Sequence, residues 1–95
     1  MAGMWIVQID VTDPDGYAKY IEGSTAVVAK HEGRFIARGG RYEQPEGRGY
    51  PRNVVITFPT YEKAVDAYES EEYQAILGLA TNASERRLTI LEVDD

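Results

Sequence analysis

The chain has no cysteine, one histidine, one tryptophan and two phenylalanines in 95 residues. Without cysteine, disulfides, thiolate metal sites, iron–sulfur ligation and cysteine nucleophiles are excluded, and only oxygen and nitrogen chemistry remains. Positive charge is also scarce: ten lysines and arginines face sixteen aspartates and glutamates, a net charge of −6. That balance repels a nucleic-acid backbone or an anionic membrane surface, so neither is an expected partner. No apolar run approaches the roughly 20 residues of a membrane span, and the first residues lack a basic region followed by an apolar core. The expected location is the cytoplasm.

What is present is ordinary for a globular protein, with 43% hydrophobic and 27% charged residues. The length fits a single domain over residues 1–95, burying roughly 60–65% of its unfolded-chain surface. No repeat, low-complexity segment or linker interrupts it.

Alternation over Met4 to Val11, with Trp5, Val7, Ile9 and Val11 apolar, predicts a first strand. Asp13 and Pro14 have the chemistry of a helix start, and Tyr17, Tyr20, Ile21, Ser24, Val27 and Val28 recur at helical spacing to about Lys30. Gly33 is expected to close that helix in the left-handed conformation. Arg34 to Glu43 reads as a second strand, interrupted at Gly39-Gly40 by a bulge or a close backbone approach. The Pro- and Gly-rich stretch 44–52 reads as a loop, and Asn53 to Phe58 as a third strand.

Thr60 caps a second helix carrying Ala64, Val65, Ala67 and Tyr68 inward. Ser70 interrupts it and caps a further helical segment from Glu71, with Tyr73, Ile76, Leu77 and Ala80 on the apolar face. After a polar connection, Leu88 to Val93 is the fourth strand. The order strand, helix, strand, strand, helix, strand is the ferredoxin-like α+β pattern, βαββαβ with a four-stranded antiparallel sheet.

Alternation assigns Trp5, Val7, Ile9, Phe35, Ala37, Val54, Ile56 and Phe58 to the helix-covered face of that sheet. The other face receives Met4, Ile6, Ile36, Val55 and part of 88–93, mixed with Gln8, Asp10, Arg38 and Thr57. A patch of that kind predicts a homodimer joined through the sheet face.

Four blocks now stand out: Val11-Thr12-Asp13-Pro14-Asp15-Gly16-Tyr17, Gly33-Arg34-Phe35-Ile36-Ala37-Arg38-Gly39-Gly40, Phe58-Pro59-Thr60-Tyr61-Glu62 and Tyr68-Glu69-Ser70-Glu71-Glu72-Tyr73. In this order and spacing the chain resembles the domain-of-unknown-function family numbered thirteen-thirty, within the dimeric α+β barrel superfamily. The resemblance implies a ferredoxin-like protomer whose sheet joins that of a second protomer, and no established activity.

Arg38 beside Gly39 and Gly40 is the leading candidate for a binding site, because a guanidinium and exposed backbone N–H groups together hold an oxyanion. The plainer alternative pairs Arg38 with Asp10 or Glu43. Tyr68 and Tyr73 are candidate pocket walls, and Asp10 or His31 the candidate acid or base. The single histidine has no second ligand in register, so no metal is expected, and no tightly held cofactor. The expected function is binding of a small anionic organic molecule between sheet and helices, with or without cofactor-independent catalysis. The alternative is a non-catalytic dimeric structural or ligand-sensing module.

Overall fold

The computed structural model describes residues 1–94. Its elements are β1 (Gly3–Val11), α1 (Pro14–Lys30), β2 (Arg34–Arg38), β3 (Arg52–Phe58), α2 (Tyr61–Glu69), α3 (Glu71–Thr81) and β4 (Ser84–Glu92). The strands form one antiparallel sheet in the order β2-β3-β1-β4, with the helices on one face: the ferredoxin-like arrangement.

Capping sets the helix boundaries. The Asp13 side chain accepts from the Gly16 N–H, and Pro14 opens α1 where no intrahelical donor is needed. At the other end the left-handed residue is Glu32, with φ 64°, rather than Gly33. Gly33 is required for a different reason: a Cβ there would lie 2.6 Å from the Phe58 ring and 2.8 Å from Val28. Ser70 ends α2 and starts α3 in one extended residue, its hydroxyl accepting from the Tyr73 N–H at 3.2 Å.

Between sheet and helices lies an aromatic core. Trp5 packs against Phe58, Tyr68 and Tyr73 with ring centroids 5.4, 6.1 and 5.1 Å away, and its indole N–H donates to the Ala64 carbonyl at 2.9 Å. The polar tip is thus satisfied inside the core, the condition for burying tryptophan.

Two strand expectations need correction. β4 begins at Ser84, four residues before Leu88, because the whole of β1 pairs with it, from Gly3 opposite Glu92 to Val11 opposite Ser84. β2 ends at Arg38 rather than Glu43, and Gly39 turns away with φ 77°.

The facing of β2 also departs from strict alternation. Phe35 is opposite Ile56 and Ala37 is opposite Val55, so Ile36 is an extra residue and β2 carries a bulge. A bulge reverses the alternation beyond it. Ala37 therefore shares the open face with Val55, and Arg38, opposite Val54, is on the helix-covered face.

The open face presents Met4, Ile6, Val55 and Leu91. The segment after β2 returns over one end of it, where the Tyr50 ring lies between Arg48 and Arg87, 4.3 and 5.1 Å from their guanidinium carbons. Arg48 also pairs with Asp10 at 3.4 Å and Glu85 at 3.0 Å.

Candidate functional site

Register explains how a cationic cleft arises beside an apolar core. Ile9 is paired with Arg52 on one side and Arg86 on the other, so both arginines share its buried, helix-facing side. The bulge brings Arg38 to the same side, opposite Val54, two residues along β3 from Arg52. Across from them α1 presents Tyr17, Tyr20 and Ser24, which three- and four-residue spacing stacks on one helix face.

These side chains surround a small cavity of about 20 Å³ floored by Val7, Ile9, Val54 and Ile56. That is room for one or two water molecules. Among the described residues, no aspartate, glutamate or histidine lines it. In a chain of net charge −6 this is a marked local inversion.

Each arginine is held differently. Arg38, at the exposed mouth, lies 4.0 Å from the centroid of the Phe35 ring and donates to Thr25 Oγ1 at 2.7 Å. The Arg86 guanidinium carbon lies 4.8 Å from the Tyr20 ring centroid, and Nη2 donates to the Tyr73 hydroxyl at 3.3 Å. Gly39 makes space for Arg52, since a Cβ at that position would lie 2.7 Å from Arg52 Nη1.

Among the described residues two buried donors are without an acceptor, Arg52 Nε and Arg86 Nη1. Leaving a buried N–H of a cation unpaired is costly, and native interiors avoid it. Burial raises Tyr17 above the usual phenol range, partly opposed by Arg86. Tyr73 is also raised, first by burial and then by the adjacent Tyr20. For Arg86 burial acts downward and the surrounding tyrosines act upward, with a net rise.

The residues singled out in the sequence divide around this cleft. Arg38 lines it, and Gly39 abuts Arg52 at its edge. Tyr73 stands behind the wall, its hydroxyl 2.8 Å from that of Tyr20. Tyr68 lines a separate groove with Leu77, Thr81 and Leu88, reached by the far side of Arg86. Gly40 has no heavy atom within 4 Å of where its Cβ would be and sits in an open surface depression with Arg41, Tyr42 and Glu43.

Asp10 and His31 are not brought to the cleft. Asp10 is on the opposite sheet face, held by Arg48 and not by Arg38. His31 caps the far end of α1, with Nδ1 3.0 Å from the Val27 carbonyl oxygen. Among the described residues no cluster of histidine, aspartate and glutamate could hold a metal ion.

Sequence reasoning did not single out Arg52 and Arg86. The available signal was phase: Arg52 is in step with Val54, Ile56 and Phe58, and Arg86 with Leu88 and Ile90. An arginine at an inward strand position is a buried cation, and such residues are rare unless something compensates them.

A family model described as a domain of unknown function, DUF1330, matches residues 2–93. No curated protein matches the chain. Among solved structures, a protein of unknown function from Rhodopseudomonas palustris superposes with a TM-score of 0.76 at 14% identity, over 99% of this chain and 83% of that one. A dimeric ferredoxin-like protein of unknown function from Jannaschia sp. gives 0.70 at 13% identity, over 98% and 100% of the two chains. SnoaB of Streptomyces nogalater, a cofactor-independent oxygenase, gives 0.67 at 11% identity, over 99% and 94%. At such identities the likeness is one of fold.

Proposed function

The chain belongs to the DUF1330 family, whose description assigns no chemistry, and we propose from the cleft itself that it binds a small organic anion between the sheet and α1. Arg52 and Arg86 receive the anionic group at the base of the cleft. Arg38 meets the remainder of the ligand at the mouth, and Tyr17, Tyr20 and Ser24 form the wall.

One observation carries this reading: among the described residues, Arg52 Nε and Arg86 Nη1 are buried donors without acceptors, and no carboxylate lines the cleft. A carboxylate supplies the missing acceptors, and charge-assisted bonds to guanidinium are among the stronger ones in proteins. The cavity is small, so the charged group enters the base and the rest of the molecule stays toward Arg38. The residues favour binding over general-base catalysis, because the titratable side chains that line the cleft are arginines and tyrosines. Chemistry without a cofactor, as in the oxygenase of similar fold, would here have to run through a phenol.

The working form in this reading is a cytoplasmic homodimer joined through the open sheet face. Support comes from Met4, Ile6, Val55 and Leu91 on that face and from a fold neighbour described as dimeric. The helix-side cleft then remains available in each protomer.

The test is a thermal-shift screen of carboxylates, phenolic acids and lactones against the wild type, Arg52→Gln and Arg86→Gln. A ligand that binds the native state raises the melting temperature with concentration. Carboxylates are expected to stabilise the wild type, and each substitution is expected to remove that response. If no compound stabilises the wild type, or if both variants respond as it does, the anion reading is wrong.

A further inference from the structure

The hydrogen bonds behind the cleft wall fix the direction in which one hydroxyl can act. A guanidinium only donates, so Arg86 Nη2 donates to the Tyr73 oxygen, 3.3 Å away. Tyr73 is fully buried. Its own proton needs an acceptor, and the oxygen in place for it is that of Tyr20, at 2.8 Å. In the reverse arrangement, with Tyr20 donating, the Tyr73 oxygen would accept twice and its proton would be buried without a partner. The favoured order is therefore Arg86 to Tyr73 to Tyr20.

That order leaves the Tyr20 proton directed away from Tyr73, and Tyr20 is one of the side chains that line the cleft. The ring has little freedom to change this. It is buried, with the Arg86 guanidinium carbon 4.8 Å from its centroid and the Tyr17 and Tyr73 rings at 5.2 and 6.1 Å. Burial also holds the Tyr73 proton in place by raising that phenol above its usual range.

We propose that Tyr20 is a fixed hydrogen-bond donor in the cleft, so that the ligand class is a small acid bearing a second acceptor oxygen next to its carboxylate, such as a 2-oxo acid. This rests on the anion reading above and adds a specificity residue to it. The carboxylate faces the guanidinium groups, and the neighbouring oxo group accepts from Tyr20. An acid with a methylene in that position leaves the phenol unpaired.

Pyruvate and propionate differ at that position and share the carboxylate. Each is titrated into isotope-labelled wild type, Tyr20→Phe and Tyr73→Phe, with affinity read from amide chemical shifts. The wild type is expected to prefer pyruvate by about tenfold, the order of magnitude for leaving one buried donor unpaired. Tyr20→Phe, which keeps the ring, should retain propionate and bring the two acids to near-equal affinity. Tyr73→Phe should shrink the preference, because Tyr20 can then turn its proton away. If both acids bind and neither variant alters their ratio, Tyr20 is not the fixed donor and the anion cleft survives. If neither acid binds the wild type, the anion reading falls and this inference with it.

Discussion

Arg52 and Arg86 are in register with the same residue, Ile9, from strands on its two sides. Two guanidinium groups thus reach one level of the helix-covered face with a buried aliphatic side chain between them. Each retains a buried nitrogen without a partner among the described residues. In the function proposed above, an incoming anion relieves this cost by supplying the acceptors.

Replacing one of these cations should therefore separate stability from binding. Arg52→Met removes the unpaired donor and keeps much of the side-chain volume. It is expected to stabilise the ligand-free protein by about 1 kcal/mol, or about 4–8 °C in melting temperature for a domain of this size. The same variant should lose stabilisation by carboxylates. Thermal unfolding with and without a carboxylate reads both effects, and a less stable variant that still responds to the ligand would contradict the assignment.

The sequence patterns that revealed the fold act over a few neighbouring residues. Asp13, Pro14, Thr60 and Ser70 mark helix ends by their own capping chemistry, and Trp5, Val7 and Ile9 reveal a strand by strict alternation. The cleft depends on features that such patterns do not carry. Arg86 lies in a polar stretch that resembles a connection, and only pairing with the full length of β1 makes it strand. Arg38 was readable as a candidate, but its face was not. Counting by twos from Phe35 puts Ala37 inward and Arg38 outward, and the inserted Ile36 reverses both.

That insertion makes a second prediction. Deleting Ile36 restores a regular strand in which Phe35 still points to the helices, Ala37 to the open face and Arg38 to the cleft. Carboxylate binding is expected to stay within about threefold of wild type, since each core and cleft residue keeps its side. In a strand without a bulge Arg38 would point to the open face, and the same deletion would carry it into the cleft and change binding. Titration of the deletion variant beside Arg38→Ala distinguishes the two cases.

Alkaline pH should expose the buried phenols. Tyr17 and Tyr73 have folded-state values raised above the usual phenol value by burial. A raised folded-state value means that the native state holds its protons after the unfolded chain begins to release them, near pH 10. Their contribution is complete below that point, and stability must fall as pH rises through the window above it. Urea unfolding between pH 8 and 11 is expected to show a decline that is shallower in Tyr73→Phe, after its lower starting stability is taken into account. An identical slope in that variant would mean that Tyr73 does not titrate differently in the two states.

The open face provides the last prediction. Val55 occupies its middle, paired with Ile6 on one side and Ala37 on the other, and its side chain points away from the helices. In the proposed homodimer this position is covered by the partner, and an aspartate there would be buried without a counter-charge. Val55→Asp is expected to shift the protein to monomers in sedimentation velocity, with the helix-side aromatic packing unchanged by near-ultraviolet circular dichroism. Carboxylate binding should persist in those monomers, because Arg38, Arg52, Arg86 and Tyr20 come from one chain and lie on the opposite side of the sheet. If binding disappears with the dimer while the aromatic signal holds, the cleft requires the partner for its shape. If the variant remains dimeric, the subunits meet somewhere other than this face.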